Sequence, residues 1–328
     1  MNSNHTCRVC GAAGPFSKHS VSEMNFGSKE RFLYLECFKC GSLQIATVPS
    51  DLSRHYPSDY LGSRDPPEST RAFTLRKAIR HFVRRARTAY LIRGWNPIGW
   101  AAYQRYQDMF APHLLALRPI RPSRAERILD IGCGPGYLLR RLQEDGYRDL
   151  TGFDPFQKWT LPGINIHHGK VDELPGCFDL VMLHHSLEHT SDPLQLLLQL
   201  KAIFTPKGLL LIRIPLAASE AWMRYNVYWY QIDAPRHLVI PSRKGMGKLA
   251  ERAGYDLVRV KYDSDETQFL CSEQYQRGVP LRDQRSYYNN PRQTVFSRSE
   301  ISNAKAESRK VNQRGTGDQA CFYLRVVP

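Results

Sequence analysis

A chain of 328 residues, 42% of them hydrophobic, is long enough for one large domain and a small one around a well-buried core. The net charge of +15 suits a polyanion, whether nucleic acid, an anionic membrane surface or a phosphorylated substrate, and does not choose among them. No window approaches the ~18 apolar residues of a membrane span, and the polar start Met1 to Thr6 carries no signal-peptide core. The expected compartment is therefore the cytoplasm.

Cysteines open the chain. Cys7, Cys10, Cys37 and Cys40 form two C-x2-C pairs separated by 26 residues, with Gly11 and Gly41 freeing the turn after each. Each pair can clamp one side of a tetrahedral Zn²⁺, and four thiolates close the coordination sphere, so the expected ion is structural. Residues 1–48 are thus expected to be a small zinc ribbon, with Arg31 to Glu36 as a strand. Cys133, Cys177, Cys271 and Cys321 are scattered and read as ordinary small residues.

Residues 49–118 read as a linker followed by helices. Arg71 to Arg93 holds eight Lys or Arg residues and no acid. Leu75, Ile79, Phe82, Val83, Ala86 and Tyr90 recur at helical spacing, which predicts a cationic amphipathic helix. Its Arg face is either simply solvated or a surface for anionic lipid or polyphosphate. Ala101 to Leu117 is expected to be a further helix.

From Arg127 strands and helices alternate, as in a doubly wound parallel sheet. The expected strands are Arg127–Ile131, Leu150–Phe153, Ile164–His168, Phe178–Leu183 and Leu209–Ile214. Helices fall at about Tyr137–Asp145 and Pro193–Phe204, with a turn at Thr205–Gly208. After the first strand, Gly132, Gly134 and Gly136 let the backbone turn sharply and approach a ligand closely. Their first, third and fifth positions differ from the first, third and sixth of a dinucleotide fingerprint, and no Lys-Ser/Thr pair follows as in a P-loop. Asp130 closes the first strand, and Asp154 ends the second, where a carboxylate can bridge two ribose hydroxyls. Arg243 to Ala253 reads as a helix stopped by Gly254, Tyr255 to Tyr262 as a sixth strand, and Gln319 to Val326 as a seventh. Residues 282–317 are expected to hold a helix with loose flanks.

The runs ILDIGCGPG (128–136), GFDP (152–155), FDLVMLHHSLEHTSDP (178–193) and FTPKGLLLIRIP (204–215) together resemble the core of class I S-adenosylmethionine-dependent methyltransferases over roughly residues 125–262. The resemblance implies an α/β fold with a doubly wound, Rossmann-like seven-stranded sheet. It implies S-adenosylmethionine as cofactor, with Asp130, Gly132, Gly134 and Gly136 on its methionine side, Asp154 on the ribose, and Val171, Asp172 and His184 completing the site. Lys170 stands where the family commonly has Asp, which leaves Asp172 as the substitute acid.

His184-His185-Ser186-Leu187-Glu188-His189 follows the fourth strand, where open α/β sheets place ligand-binding groups. Its H-x-x-E-H pattern also occurs in zinc proteases, but here it lies inside a methyltransferase-like scaffold. Three readings stay open: His185 or His189 as the base that takes an acceptor proton, His185, Glu188 and His189 as ligands of a divalent ion, or a structural cluster. Residues of about 216–241 form an aromatic insert expected as a lid, with Trp222, Tyr225, Tyr228, Trp229 and Tyr230. Its Asp233-Ala234-Pro235-Arg236-His237-Leu238 resembles a stretch of bacterial methyltransferases that carry a zinc ribbon and accompany polysaccharide genes. His237 is a further candidate base, and Arg236 suits a phosphate or carboxylate.

The expected domains are 1–48, 49–118 and 119–328. The expected function is O-methylation of a sugar or glycolipid intermediate of cell-surface polysaccharide, with peripheral contact to an anionic inner-membrane face through residues 71–93. RNA methylation, a small quinone-like acceptor and a non-catalytic scaffold rank behind it.

Overall fold

The structure, a computed structural model, describes residues 5–56, 75–106, 109–156 and 160–327. Most of the expected linker and the first four residues of the expected basic helix lie outside the described residues. In chain order the strands are β1 (Phe16–Ser22), β2 (Arg31–Cys37), β3 (Leu43–Ile45), β4 (Arg127–Ile131), β5 (Asp149–Phe153), β6 (Asn165–His167), β7 (Phe178–His184), β8 (Phe204–Pro215), β9 (Val239–Ile240), β10 (Tyr255–Tyr262) and β11 (Gln319–Val326). The helices are α1 (Leu75–Arg93), α2 (Pro97–Arg105), α3 (Ala111–Leu117), α4 (Tyr137–Glu144), α5 (Pro193–Lys201), α6 (Glu220–Tyr225), α7 (Arg243–Ala253), α8 (Thr267–Gln276) and α9 (Arg298–Arg314).

The strands form a seven-stranded sheet in the order β10-β11-β8-β7-β4-β5-β6 and a four-stranded sheet β1-β2-β3-β9. β6, β5, β4 and β7 pair in parallel, and β10 pairs with β11 antiparallel. The fold class is α/β with a Rossmann-like seven-stranded sheet, as the alternation of strands and helices predicts. The chain divides into two compact units, one of residues 1–57, 185–198 and 212–327, the other of 58–184 and 199–211.

In the second unit, Ile128 and Leu129 of β4 are buried on opposite faces of the sheet, and α4 buries Leu138, Leu139 and Leu142. The expected helix over 101–117 is two helices. Asn96 caps α2 by accepting from the Gly99 N–H at 2.8 Å, and Pro112 in the first turn of α3 starts a new helix. β8 begins five residues before the expected Leu209, because the segment planned as a turn already runs beside β7. The Phe178 N–H donates to the Ile203 carbonyl at 2.7 Å, and the Thr205 hydroxyl donates to Asp179 at 3.0 Å.

In the first unit, the cysteine ribbon is not an isolated module. β3 pairs with β9 (Leu43 opposite Ile240), so residues 16–45 and 239–240 share one sheet. Ser242 caps α7 through the Gly245 N–H at 2.8 Å, and its hydroxyl also donates to the Cys40 carbonyl. α9 opens with a reciprocal capping box between Ser297 and Glu300.

Candidate functional site

The glycine turn of the second unit is held against the end of β5. The N–H groups of Gly132 and Cys133 donate to the Phe153 carbonyl at 2.7 and 3.3 Å. Asp154 follows immediately: its Oδ2 accepts the Gly134 N–H at 3.0 Å and its Oδ1 the Phe156 N–H at 2.9 Å. Gly134 sits at φ +53°, and a Cβ built there meets nothing within 4 Å, so the turn opens onto free space. Gly136, at φ +89°, is closed on its other side, since a Cβ would lie 2.9 Å from Ile164. Asp130 is buried in β4, and that burial, with the charge of Asp154 adding to it, pushes its carboxyl up to about 8. This cradle of open backbone, with one carboxylate fixed at a strand tip, fits a ligand that offers hydroxyls.

The remaining expected cofactor residues are distributed around that unit. Val171 is buried at the start of a short 3-10 turn, and the neighbouring Asp172 is exposed. His184 ends β7 with its ring 4.8 Å from that of His113 on α3. His113 in turn neighbours Phe110, which neighbours Tyr137 at the start of α4. No motif singled out Phe110 or His113, because each is one aromatic residue in an otherwise unremarkable short helix region.

Cys7, Cys10, Cys37 and Cys40 converge in the first unit, with their sulfurs within 4.8 Å of one another. Cys7 and Cys40 Sγ lie 3.7 Å apart, and Cys10 and Cys37 Sγ 3.8 Å. A tetrahedron of Zn–S bonds near 2.3 Å requires about 3.8 Å between sulfurs. Gly11 and Gly41, both at positive φ, donate their N–H groups back to the carbonyls of Cys7 and Cys37. The donor set fits a structural zinc ion.

The histidine cluster also lies in the first unit. His185 adopts φ +52°, a strained conformation for a non-glycine residue. Arg213 of β8 donates from Nε to Asp263 at 2.6 Å and from Nη1 to His185 Nε2 at 2.5 Å. His185 then donates from Nδ1 to Glu188 Oε1 at 3.2 Å, so both of its ring nitrogens are engaged. Glu188 is fully buried. Burial alone would raise its carboxyl, but the His185 hydrogen bond and the nearby histidines bring it down to about 2. His189 Nδ1 lies 3.0 Å from both the Arg236 carbonyl and the Tyr56 hydroxyl. His237 Nδ1 lies 2.7 Å from the Gln231 carbonyl. A carbonyl only accepts, so both imidazoles carry their proton on Nδ1 and turn Nε2 toward other partners. Their rings are 4.8 Å apart. Burial first, and His237 second, hold His189 down at about 4.

Thus His189 and His237 come together with Glu188, and His185 hydrogen-bonds to Glu188 from outside that group. The group that could hold a metal ion is Glu188, His189 and His237, whereas the metal reading among the three open ones joined His185, Glu188 and His189. Arg213 and Tyr56 escaped the sequence reading. Arg213 carried a signal, being a lone charge in the apolar run 209–214.

Most of the insert's aromatic rings are not presented as a sugar platform, Tyr228 alone of the five being exposed. Trp222, Tyr225 and Trp229 are core side chains of the first unit. Trp222 Nε1 donates to Glu36 at 3.2 Å and Trp229 Nε1 to Asp318 at 2.9 Å, which satisfies the indole N–H groups as burial requires. Arg236 is 0% exposed and already bound by Asp233 and Glu23, so it has no charge to spare for a substrate phosphate.

Residues 102–260 match the methyltransferase-domain family. This segment is a methyltransferase domain. Among curated relatives, the tRNA U34 carboxymethyltransferase of Pseudoalteromonas translucida is 30% identical over 47% of this chain and 50% of its own length. That of Hydrogenovibrio crunogenus is 28% identical over 49% of this chain and 51% of its own. The trans-aconitate 2-methyltransferase of Deinococcus radiodurans is 29% identical over 37% and 49%. The chain spans about half the length of these curated relatives.

These matches correct the expected partners. The expectation of a sugar or glycolipid acceptor, with nucleic acid ranked behind, rested on the aromatic insert and its resemblance to polysaccharide-associated enzymes, and membrane contact rested on the basic run 71–93. Trp222, Tyr225 and Trp229 of the insert are core, and relatives matching 40–49% of this chain are named for tRNA. The polysaccharide assignment falls with it. Among the described residues no helix is long and apolar enough to cross a membrane.

Proposed function

We propose that this chain is an S-adenosylmethionine-dependent methyltransferase that acts on RNA, with tRNA as the first acceptor to test. The observation that carries this reading is the match of about half of the chain to enzymes named for tRNA U34. The charge of the chain supports it. Helix α1 leaves Arg76, Arg80, Arg85 and Arg93 at the surface together with Phe82, and Trp95 and Trp100 follow them exposed. Cationic groups for phosphates beside rings for bases are the two components of single-stranded nucleic-acid binding.

The donor would be held by the glycine turn, with Asp154 on the ribose hydroxyls and Asp130 toward the cationic methionine end. Val171, Asp172 and His184 are assigned the rest of the donor site. When bound, S-adenosylmethionine supplies an electrophilic methyl group, and the protein's contribution is to hold donor and acceptor in line.

Two measurements test this. Affinity for tRNA is expected to fall by roughly 10² or more between about 50 and 200 mM salt, and label from the methyl group of the donor to enter tRNA. Donor binding without transfer to any RNA would refute the acceptor while leaving the donor site standing. The second concerns protons. Asp130, protonated below about 8, gives up its proton when a cation is placed beside it. Donor affinity should therefore rise by up to about tenfold per pH unit below pH 8 and level off above it. Titration calorimetry in two buffers of different ionisation enthalpy reads the released proton, and a pH-independent affinity with no proton release would take Asp130 out of the donor site.

A further inference from the structure

Glu188, His189 and His237 offer ligand atoms within 4.8 Å of one another, and three independent features prepare them for one occupant. Both histidines are locked in the tautomer with the proton on Nδ1, His189 by the Arg236 carbonyl and His237 by the Gln231 carbonyl. That leaves the two Nε2 lone pairs, the form in which imidazole binds metals. Glu188 is 0% exposed, and its Oε2, alone among its two oxygens, has no hydrogen-bond partner among the described residues. A buried, unsatisfied carboxylate oxygen is costly, and a bound cation would relieve that cost. Finally, the carboxylate is oriented from behind. Asp263 holds Arg213, Arg213 holds His185, and His185 donates to Oε1, an outer chain of the kind that aims a metal-binding carboxylate.

We infer that Glu188, His189 and His237 bind a divalent first-row transition metal ion, separate from the ion of the four cysteines. The ligand set of two imidazoles and one carboxylate suits zinc, iron(II), cobalt(II) or manganese(II), and three protein ligands leave positions open for water or another oxygen donor. Metal–ligand bonds near 2.1 Å need ligand atoms about 3.4 Å apart in a tetrahedral site, so a small inward rotation of the side chains completes the site. His185 has a positioning role through Glu188. The inference does not depend on RNA as acceptor.

The experiment is a metal count on the full-length protein, loaded with Co²⁺ and freed of excess by dialysis. Two equivalents are expected in the wild type. His189→Ala, His237→Ala and the isosteric Glu188→Gln should each retain one. In the cobalt spectrum, the thiolate charge-transfer bands of the cysteine site should persist in all three variants, which also reports that the unit is folded. The weaker ligand-field bands of the nitrogen and oxygen site should vanish. A wild type whose cobalt shows only thiolate-type ligation, or a second equivalent that survives in Glu188→Gln and both histidine variants, would overturn the assignment.

Discussion

Asp154→Ala is expected to weaken S-adenosylmethionine binding by about two to three orders of magnitude. Asp154 does two things at once. Its two oxygens accept the N–H groups of Gly134 and Phe156, which fixes the turn. The same carboxylate is the acceptor proposed for the ribose hydroxyls. Hydrogen bonds to a charged group contribute about 1.5–3 kcal/mol each, and losing two of them while the left-handed Gly134 relaxes accounts for the size of the effect. Asp154→Asn keeps one acceptor oxygen and should lose less. Titration calorimetry with both variants provides the check. If Asp154→Ala binds the donor as tightly as the wild type, the donor lies elsewhere.

The largest effect on stability is expected at Arg236. Its guanidinium is fully buried, donates to both oxygens of Asp233 at 2.6–3.0 Å, to Glu23 at 2.7 Å and to the His55 carbonyl at 3.1 Å. Arg236→Leu leaves two carboxylates buried without their cation, which costs about 3–5 kcal/mol. Burial alone would raise both carboxyls. Backbone donors and Arg236 hold Glu23 below its ordinary range, and Arg236 holds Asp233 well below its own. Depressed carboxyl values stabilise the folded state fully above the unfolded values near 4 and lose that contribution as pH falls through the folded ones. The wild type should therefore lose stability on acidification below about pH 4. In the variant both carboxyls can protonate, so its deficit should shrink over the same range. Urea unfolding of both proteins at pH 7 and near pH 4 reads the difference. A loss under about 1 kcal/mol at neutral pH, or a deficit that grows on acidification, would show that the Arg236 network contributes little.

The regular elements were legible wherever one local rule governed them. β4, α7, β10 and β11 lie where periodicity and the Gly254 stop put them, because each is bounded by its own apolar pattern or cap. β8 is longer than its composition suggests, since Phe204 to Gly208 is turn-like in sequence and is made a strand by pairing with β7. The helix expected over 101–117 is divided at a proline that the apolar spacing alone did not weigh. The aromatic insert misled for a related reason. A row of Trp and Tyr looks alike in sequence whether it faces a ligand or a core, and only the partners Glu36 and Asp318 for the indole N–H groups decide which.

Two motifs were determined by the sequence itself, the paired cysteine knuckles and the glycine turn with Asp130 and Asp154, because their chemistry lies in local spacing. The histidine cluster was not. Spacing alone joined His185 to Glu188 and His189, residues three and four apart. Tertiary structure instead brings in His237, 48 positions after His189, and turns His185 into a support behind Glu188. Which nitrogen of a histidine is free depends on the carbonyl that faces the other, and those carbonyls belong to Arg236 and Gln231 in a segment folded back from beyond β8.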